Sequence, residues 1–265
     1  MITVKSADGT AIAYDRTGEG PALIVVTGAL STRAAIGPMA EALGSNFTVY
    51  AYDRRGRGDS GDEQPYSPER EIEDLGAMID EAGGSAFVFG HSSGAALALD
   101  AAGAGLPITK LVAYEPPFIV DAGRPGLDSS LPARMAELID SGDRDGALEC
   151  WMVNTVGETP ESLSAWRGTP PWQALTAIVH TTLHDLAIMS GRMSGRPLPS
   201  GSWPGATMPV LVIDGELSPP FMHSAADAVA AALPDARRHT IEGAGHGATP
   251  EQLLPVFTEF FGDRA

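Results

Sequence analysis

The sequence predicts an α/β protein: a mostly parallel eight-stranded sheet, helices on both faces, and a helical segment inserted after the sixth strand. Three observations carry this expectation. Short β-branched runs alternate with longer helical patterns, as strands joined by crossover helices do. Most of the runs are apolar throughout, the mark of strands buried on both faces. The alternation breaks once, over residues 117–207, where no strand is legible and helical stretches meet at Gly/Pro-rich joints.

In chain order, ITVKSADGTAIAYDRTG (2–18) reads as an antiparallel hairpin turned at Asp8-Gly9. ALIVVTG (22–28) is the first continuous apolar run and stops at a glycine, with a helical pattern following over 31–44. FTVYAYD (47–53) is the next strand. Ser67, Pro68 and Glu69 then open a helix over 67–83, with serine as N-cap and proline in the first turn. AFVFG (86–90) leads into a small-residue helix over 93–105, and KLVAYE (110–115) is the sixth strand. PVLVID (209–214) and RHTIEG (238–243) complete the sheet, with helices over 221–235 and near 249–262. The resulting division is a core from 1–116, a helical cap from 117–207 and the remainder of the core from 208–265.

Composition narrows the function classes. Of 265 residues, 43% are hydrophobic, enough for a sizeable core. The formal charge of −17 repels a phosphate backbone, so nucleic acid is not an expected partner, and the acidity reads as solubility. The start, MITVKSADGTAIAY, has neither the basic nor the apolar region of a secretory signal. No stretch approaches the ~20 apolar residues a membrane span requires. Cys150 is the single cysteine, which leaves no internal disulfide and no cysteine-built metal cluster. The expectation is a cytoplasmic protein with a small-molecule substrate, no cofactor and no metal; oligomeric state is not legible.

The most informative stretch is AFVFGHSSGAALAL (86–99). A strand runs into Gly90-His91-Ser92-Ser93-Gly94 and emerges as a helix, which is G-x-S-x-G in the strand–turn–helix setting that gives the motif its meaning. So tight a turn forces a strained backbone on Ser92 and leaves no room for side chains two residues either side. The Ser92 hydroxyl is then presented at a helix N-terminus, where developing negative charge is favoured. Ser93 contributes its backbone N–H. GRGDSG (56–61) also fits a dinucleotide fingerprint, but it runs on into DEQPYS rather than directly into a helix, so that reading is set aside.

With these residues in view the chain resembles the α/β-hydrolase superfamily over essentially its whole length. Residues 52–60, YDRRGRGDS, match the D-x-R-G-x-G-x-S loop of its lipase- and esterase-like members, and GAGHG (243–247) matches its late histidine loop. The insertion after strand six falls where that family places its cap. The resemblance implies a serine hydrolase that cleaves an ester or lactone of a small molecule through an acyl-serine intermediate, and the number of cap tryptophans points to an apolar one. It makes Ser92 the nucleophile and His246 the base, and it draws the oxyanion hole from the backbone N–H groups of Ser93 and Ala29. The family usually has His-Gly where this chain has Thr27-Gly28, a change that alters the pocket floor without removing a backbone donor. The alternative is a non-hydrolytic member, a biosynthetic cyclase or coupling enzyme or a ligand receptor, using the same pocket.

The acid departs from the family pattern. Members usually carry it just after strand seven, and counting from Gly215 that slot holds Ser218. Three carboxylates remain. Glu115 ends strand six before Pro116 and Pro117, and its 23-residue spacing from Ser92 resembles lactone hydrolases of the zearalenone-hydrolase type. Glu216 lies one position past Gly215, and Asp214 is the last residue of its strand. Glu115 is the preferred choice, with Glu216 and Asp214 as alternatives.

The cap is expected to supply the pocket, with Leu30, His91, Trp151, His180 and His184 as candidate lining residues. His180 and His184 stand four apart on one helix face, but nothing around them completes a metal motif. Trp151, Trp166 and Trp172 read first as cap core and second as substrate contacts.

Overall fold

The computed structural model describes residues 1–262. Eight strands form one sheet: β1 (Ile2–Lys5), β2 (Ala11–Thr17), β3 (Ala22–Val26), β4 (Thr48–Tyr52), β5 (Ala86–His91), β6 (Ile108–Tyr114), β7 (Val210–Gly215) and β8 (Ala236–Ile241). Their order is β1-β2-β4-β3-β5-β6-β7-β8. The pairs β1/β2 and β2/β4 are antiparallel and every other pair is parallel. The C-terminal ends of the parallel strands therefore gather at one edge, with β5 in the middle of the sheet. This is the eight-stranded, mostly parallel sheet that the apolar runs predict.

Helices α1 (Gly37–Leu43), α2 (Pro68–Glu81) and α3 (Ser93–Gly103) connect the first half. The helix expected over 31–44 is split: a 3-10 turn, Arg33–Ile36, precedes α1, because Pro38 can start a helix but cannot continue one. Ser67 does precede α2, yet its hydroxyl caps no backbone N–H. Between β6 and β7 the chain forms α4 (Leu131–Asp140), α5 (Arg144–Trp151), α6 (Pro160–Ser164), α7 (Pro170–Ile178) and α8 (Thr182–Ile188) without a strand. Helices α9 (Pro220–Ala232) and α10 (Pro250–Gly262) flank β8.

Alternation along the strands sorts side chains into two cores. Leu23, Val25, Phe89, Val112, Tyr114, Leu211 and Ile213 pack with α1 and with Phe257, Phe260 and Phe261 of α10. Their strand neighbours Ile24, Val26, Val88, Leu111, Ala113 and Val212 pack with α2, α3 and α9 in a core continuous with the inserted helices. The insertion is thus fastened to the α2/α3 side. Its return path is pinned there as well: Arg192 forks onto both Asp100 oxygens at 2.6 and 2.9 Å, and Trp203 Nε1–H donates to Asp100 at 2.9 Å. Among the described residues no helix is long and apolar enough to cross a membrane.

Candidate active site

Among the described residues, only three other than glycine have positive φ: Leu30 (54°), Ser92 (56°) and Glu115 (49°). Each such backbone costs of order 1–3 kcal/mol and persists only where its surroundings enforce it. All three sit where β3, β5 and β6 end, the edge to which the motifs point.

At Ser92 the enforcement is visible. The residue closes β5 and immediately precedes α3, with ψ of −126°. Its N–H donates to Tyr114 O at 2.9 Å, tying the turn to β6. A Cβ on Gly90 would fall 2.6 Å from Gly94 O, and one on Gly94 would fall 2.3 Å from Val26 O, so neither position tolerates a side chain. Gly28 is equally constrained, since a Cβ there would stand 2.9 Å from the Ser92 Cβ. The Ala29 loop thereby lies directly against the serine. Ser93 is the first residue of α3, and neither its N–H nor that of Ala29 donates to a backbone acceptor among the described residues.

His246 lies in the loop between β8 and α10, and its Nδ1–H donates to Glu115 Oε2 at 2.5 Å. A carboxylate can only accept, so Nδ1 carries a proton and Nε2 is the ring nitrogen left outside this bond. Glu115 is fully buried, and its other oxygen accepts from Gly215 N–H at 2.9 Å. Burial pushes the Glu115 carboxyl up, but the bonds from His246 and Gly215, with the Ser218 hydroxyl beside it, outweigh that and hold it below the usual carboxylate range. Ser218 itself is buried and its hydroxyl meets no partner in full hydrogen-bond geometry. The slot where the family usually keeps its acid thus adjoins the carboxylate that binds the histidine.

The other two carboxylates are engaged elsewhere. Asp214 is fully buried and receives His223, Arg238 and, at 2.7 Å, Thr240. Glu216 accepts from Gly243 N–H at 2.9 Å, at the base of the histidine loop. His91 is beside the site rather than across from it. Its Nε2–H donates to His246 O at 2.7 Å, and burial and the neighbouring His246 push its pKa down to about 4, so the ring is neutral. With Thr27, Gly28 and Gly247 it lines a cavity of about 80 Å³ whose other walls include Val25, Ile36, Met39, Phe89 and Leu253. The Thr27 hydroxyl is buried without a partner on this wall.

The candidate residues of the helical insertion divide. Trp151 and Trp172 are buried in the core that the cap shares with the sheet, and Trp172 stands edge-on to Trp166 with centroids 5.1 Å apart. His184 is buried too, stacked on Tyr66 at 3.7 Å. His180 Nε2 and His184 Nε2 stand 3.9 and 3.8 Å from the two oxygens of Asp62, beyond hydrogen-bond distance. No cluster able to hold a metal occurs among the described residues.

One group of residues escapes sequence reasoning. Arg54, Arg57 and Asp185 are fully buried, and Glu71 is nearly so. Arg54 forks onto Glu71 at 2.7 and 2.9 Å, and its Nη1 reaches Asp185 at 2.9 Å and Thr27 O at 3.2 Å. Arg57 Nη2 reaches both Asp185 oxygens at 2.9 Å, and its Nη1 donates to Gly28 O at 2.6 Å. The Ser93 hydroxyl donates to Asp185 at 2.7 Å. Three arginines in a glycine-rich loop next to a buried strand were the available signal, since buried guanidiniums require carboxylates. Residues 53–61 themselves wrap around Asp53, which accepts Asp59 N–H at 3.0 Å, and form no dinucleotide turn.

The family model for the alpha/beta hydrolase family matches residues 23–256. The chain belongs to this family. It is 46% identical, with a TM-score of 0.91, to the crystal structure of an alpha/beta hydrolase from Sphaerobacter thermophilus, covering 98% of this chain and 100% of that one. It is 38% identical over 132 residues to N-formylmaleamate deformylase of Pseudomonas putida, which is 48% of this chain and 49% of the deformylase. The match thus spans about half the length of that curated relative. The enol-lactonase of Burkholderia xenovorans shares the fold at 20% identity and a TM-score of 0.70, over 98% of this chain and 100% of that one.

Proposed function

We propose that the protein is a serine hydrolase that cleaves an ester or lactone of a small, apolar molecule through an acyl-Ser92 intermediate. The observation that carries this reading is the bond from His246 Nδ1 to the buried Glu115, at the same sheet edge as a serine held in a strained turn. His246 Nε2 takes the Ser92 proton as the hydroxyl attacks the acyl carbon. The developing oxyanion is met by the N–H groups of Ala29 and Ser93. Glu115, held ionised, stabilises the imidazolium until its proton passes to the leaving oxygen. Water activated by His246 then releases the acid. The Glu115–His246 bond supports this reading over a cyclase or receptor, because it gives the histidine a carboxylate partner where position 218 offers only serine.

A second reading, cleavage of an acyl–nitrogen bond, is favoured by the 38% identity to the deformylase. It uses the same groups, with the proton delivered to nitrogen. The test is labelling by a fluorophosphonate, followed by a panel of p-nitrophenyl esters, lactones and N-formyl amides. Wild-type protein is expected to label rapidly and Ser92→Ala and His246→Ala not at all. A wild-type protein that never labels overturns the hydrolase reading, and the panel decides between oxygen and nitrogen leaving groups.

A further inference from the structure

We propose that Asp185, carried by cap helix α8, is a positioning residue that sets the oxyanion hole. This rests on the serine-hydrolase reading and adds to it a dependence on the cap. The argument begins with the peptide unit between Gly28 and Ala29. A trans peptide is planar, so its C=O and N–H point in opposite directions. Whatever holds Gly28 O therefore aims the Ala29 N–H. That oxygen is held by Arg57 Nη1 at 2.6 Å, and Arg57 is in turn held by both oxygens of Asp185. Gly28 has no side chain to resist rotation of this unit, and Leu30 beyond it sits at a φ of 54°, so the loop does not keep its shape by local preference.

The second donor is tied to the same carboxylate. Asp185 accepts the Ser93 hydroxyl at 2.7 Å, at the first residue of α3, whose N–H is the other half of the hole. Arg54 Nη1 completes the frame by bridging Asp185, Ser93 Oγ and Thr27 O. Burial alone pushes the Asp185 carboxyl up, but Arg57 and Arg54 and the Ser93 hydrogen bond outweigh it, so the group stays ionised. The four charges of Arg54, Arg57, Glu71 and Asp185 sum to zero in a region closed to water. Such a cluster is rigid when complete and costly when broken. Asp185 is the one member supplied by the cap. Seating of α8 on the core and alignment of both N–H donors are accordingly one event.

The test compares Asp185→Asn, Arg57→Met and the double variant in the full chain, reading kcat, KM, Tm and the affinity of an alkyl boronic acid whose adduct places an oxygen in the hole. In the single variants kcat is expected to fall ~10²-fold, as when one oxyanion donor is lost, with boronate affinity falling in parallel and KM nearly unchanged. The double variant restores charge balance, so Tm is expected to recover while kcat and boronate affinity do not. Recovery of kcat along with Tm, or single variants that lose Tm and keep kcat, overturns the proposal. If the single variants do not fold, Ser93→Ala, which removes only a hydroxyl, decides: turnover falling about tenfold supports the proposal, and wild-type turnover and boronate affinity overturn it. Fluorophosphonate labelling of the wild type separates the two levels. Its absence defeats the hydrolase reading, whereas normal labelling with an indifferent Asp185→Asn defeats this proposal alone.

Discussion

Strands β6 and β7 lie side by side, and each leads to a carboxylate at the same sheet edge. Glu115 follows β6 and binds His246; Asp214 lies within β7 and does not. Both backbones remain tied into the sheet, Glu115 through its N–H to Ile213 O and Asp214 through its register with Thr240. The difference lies in handedness. Glu115 turns left-handed at a φ of 49° as it leaves the ladder, whereas Asp214 keeps the extended backbone and is taken up by His223, Arg238 and Thr240. Glu216, with the longer arm, bonds Gly243 N–H instead. Which carboxylate meets the histidine is decided by the backbone at the strand exit, not by arm length.

This contrast can be broken or sharpened by substitution. The largest effect is expected from Glu115→Gln, which keeps size but not charge and should lower kcat by ~10⁴-fold, measured on whichever substrate the panel identifies. Smaller, but more telling, is the transfer of the carboxylate to the neighbouring strand. Glu115→Ala combined with Ser218→Asp is expected to recover about tenfold in kcat over Glu115→Ala alone, because the aspartate enters the space beside the lost carboxylate. Failure to recover would mean that adjacency to Glu115 does not bring position 218 within reach of His246. Asp214→Asn should cost about 2 kcal/mol in thermal or urea unfolding through its charged hydrogen bonds, with kcat retained. Glu216→Gln should change stability by no more than about 0.5 kcal/mol. A collapse of turnover in either of the last two would reverse the assignment of roles between the strands.

The legible parts of the molecule are those with local chemistry. Strands β3 to β7 were readable because buried parallel strands are continuously apolar, β1 and β2 from the Asp8-Gly9 turn between them, and the Ser92 turn because only glycine fits beside it. The helical insertion between β6 and β7 was readable from what it lacks. Glu115 was preferred from its spacing to Ser92 and from the adjacency of strand six to the nucleophile strand, with Glu216 and Asp214 kept as alternatives from their place at the end of strand seven. What the structure adds is the left-handed backbone of Glu115, and no residue type announces it: a glutamate at positive φ has no signature. Asp185 was out of reach for another reason. It lies 128 residues from Arg57 in sequence, and its bond to that arginine exists only once α8 of the insertion packs on the core. The split of the 31–44 helix, by contrast, was in the sequence at Pro38.

Leu30, Ser92 and Glu115 have a consequence for evolution and engineering. Each holds a conformation that glycine would adopt more easily, so replacing any of them with glycine would make the fold more comfortable while removing a functional group or loosening its setting. At Ser92 and Glu115 the strained backbone and the proposed chemistry therefore share the same residues. Any campaign to harden this scaffold needs a simultaneous screen for turnover.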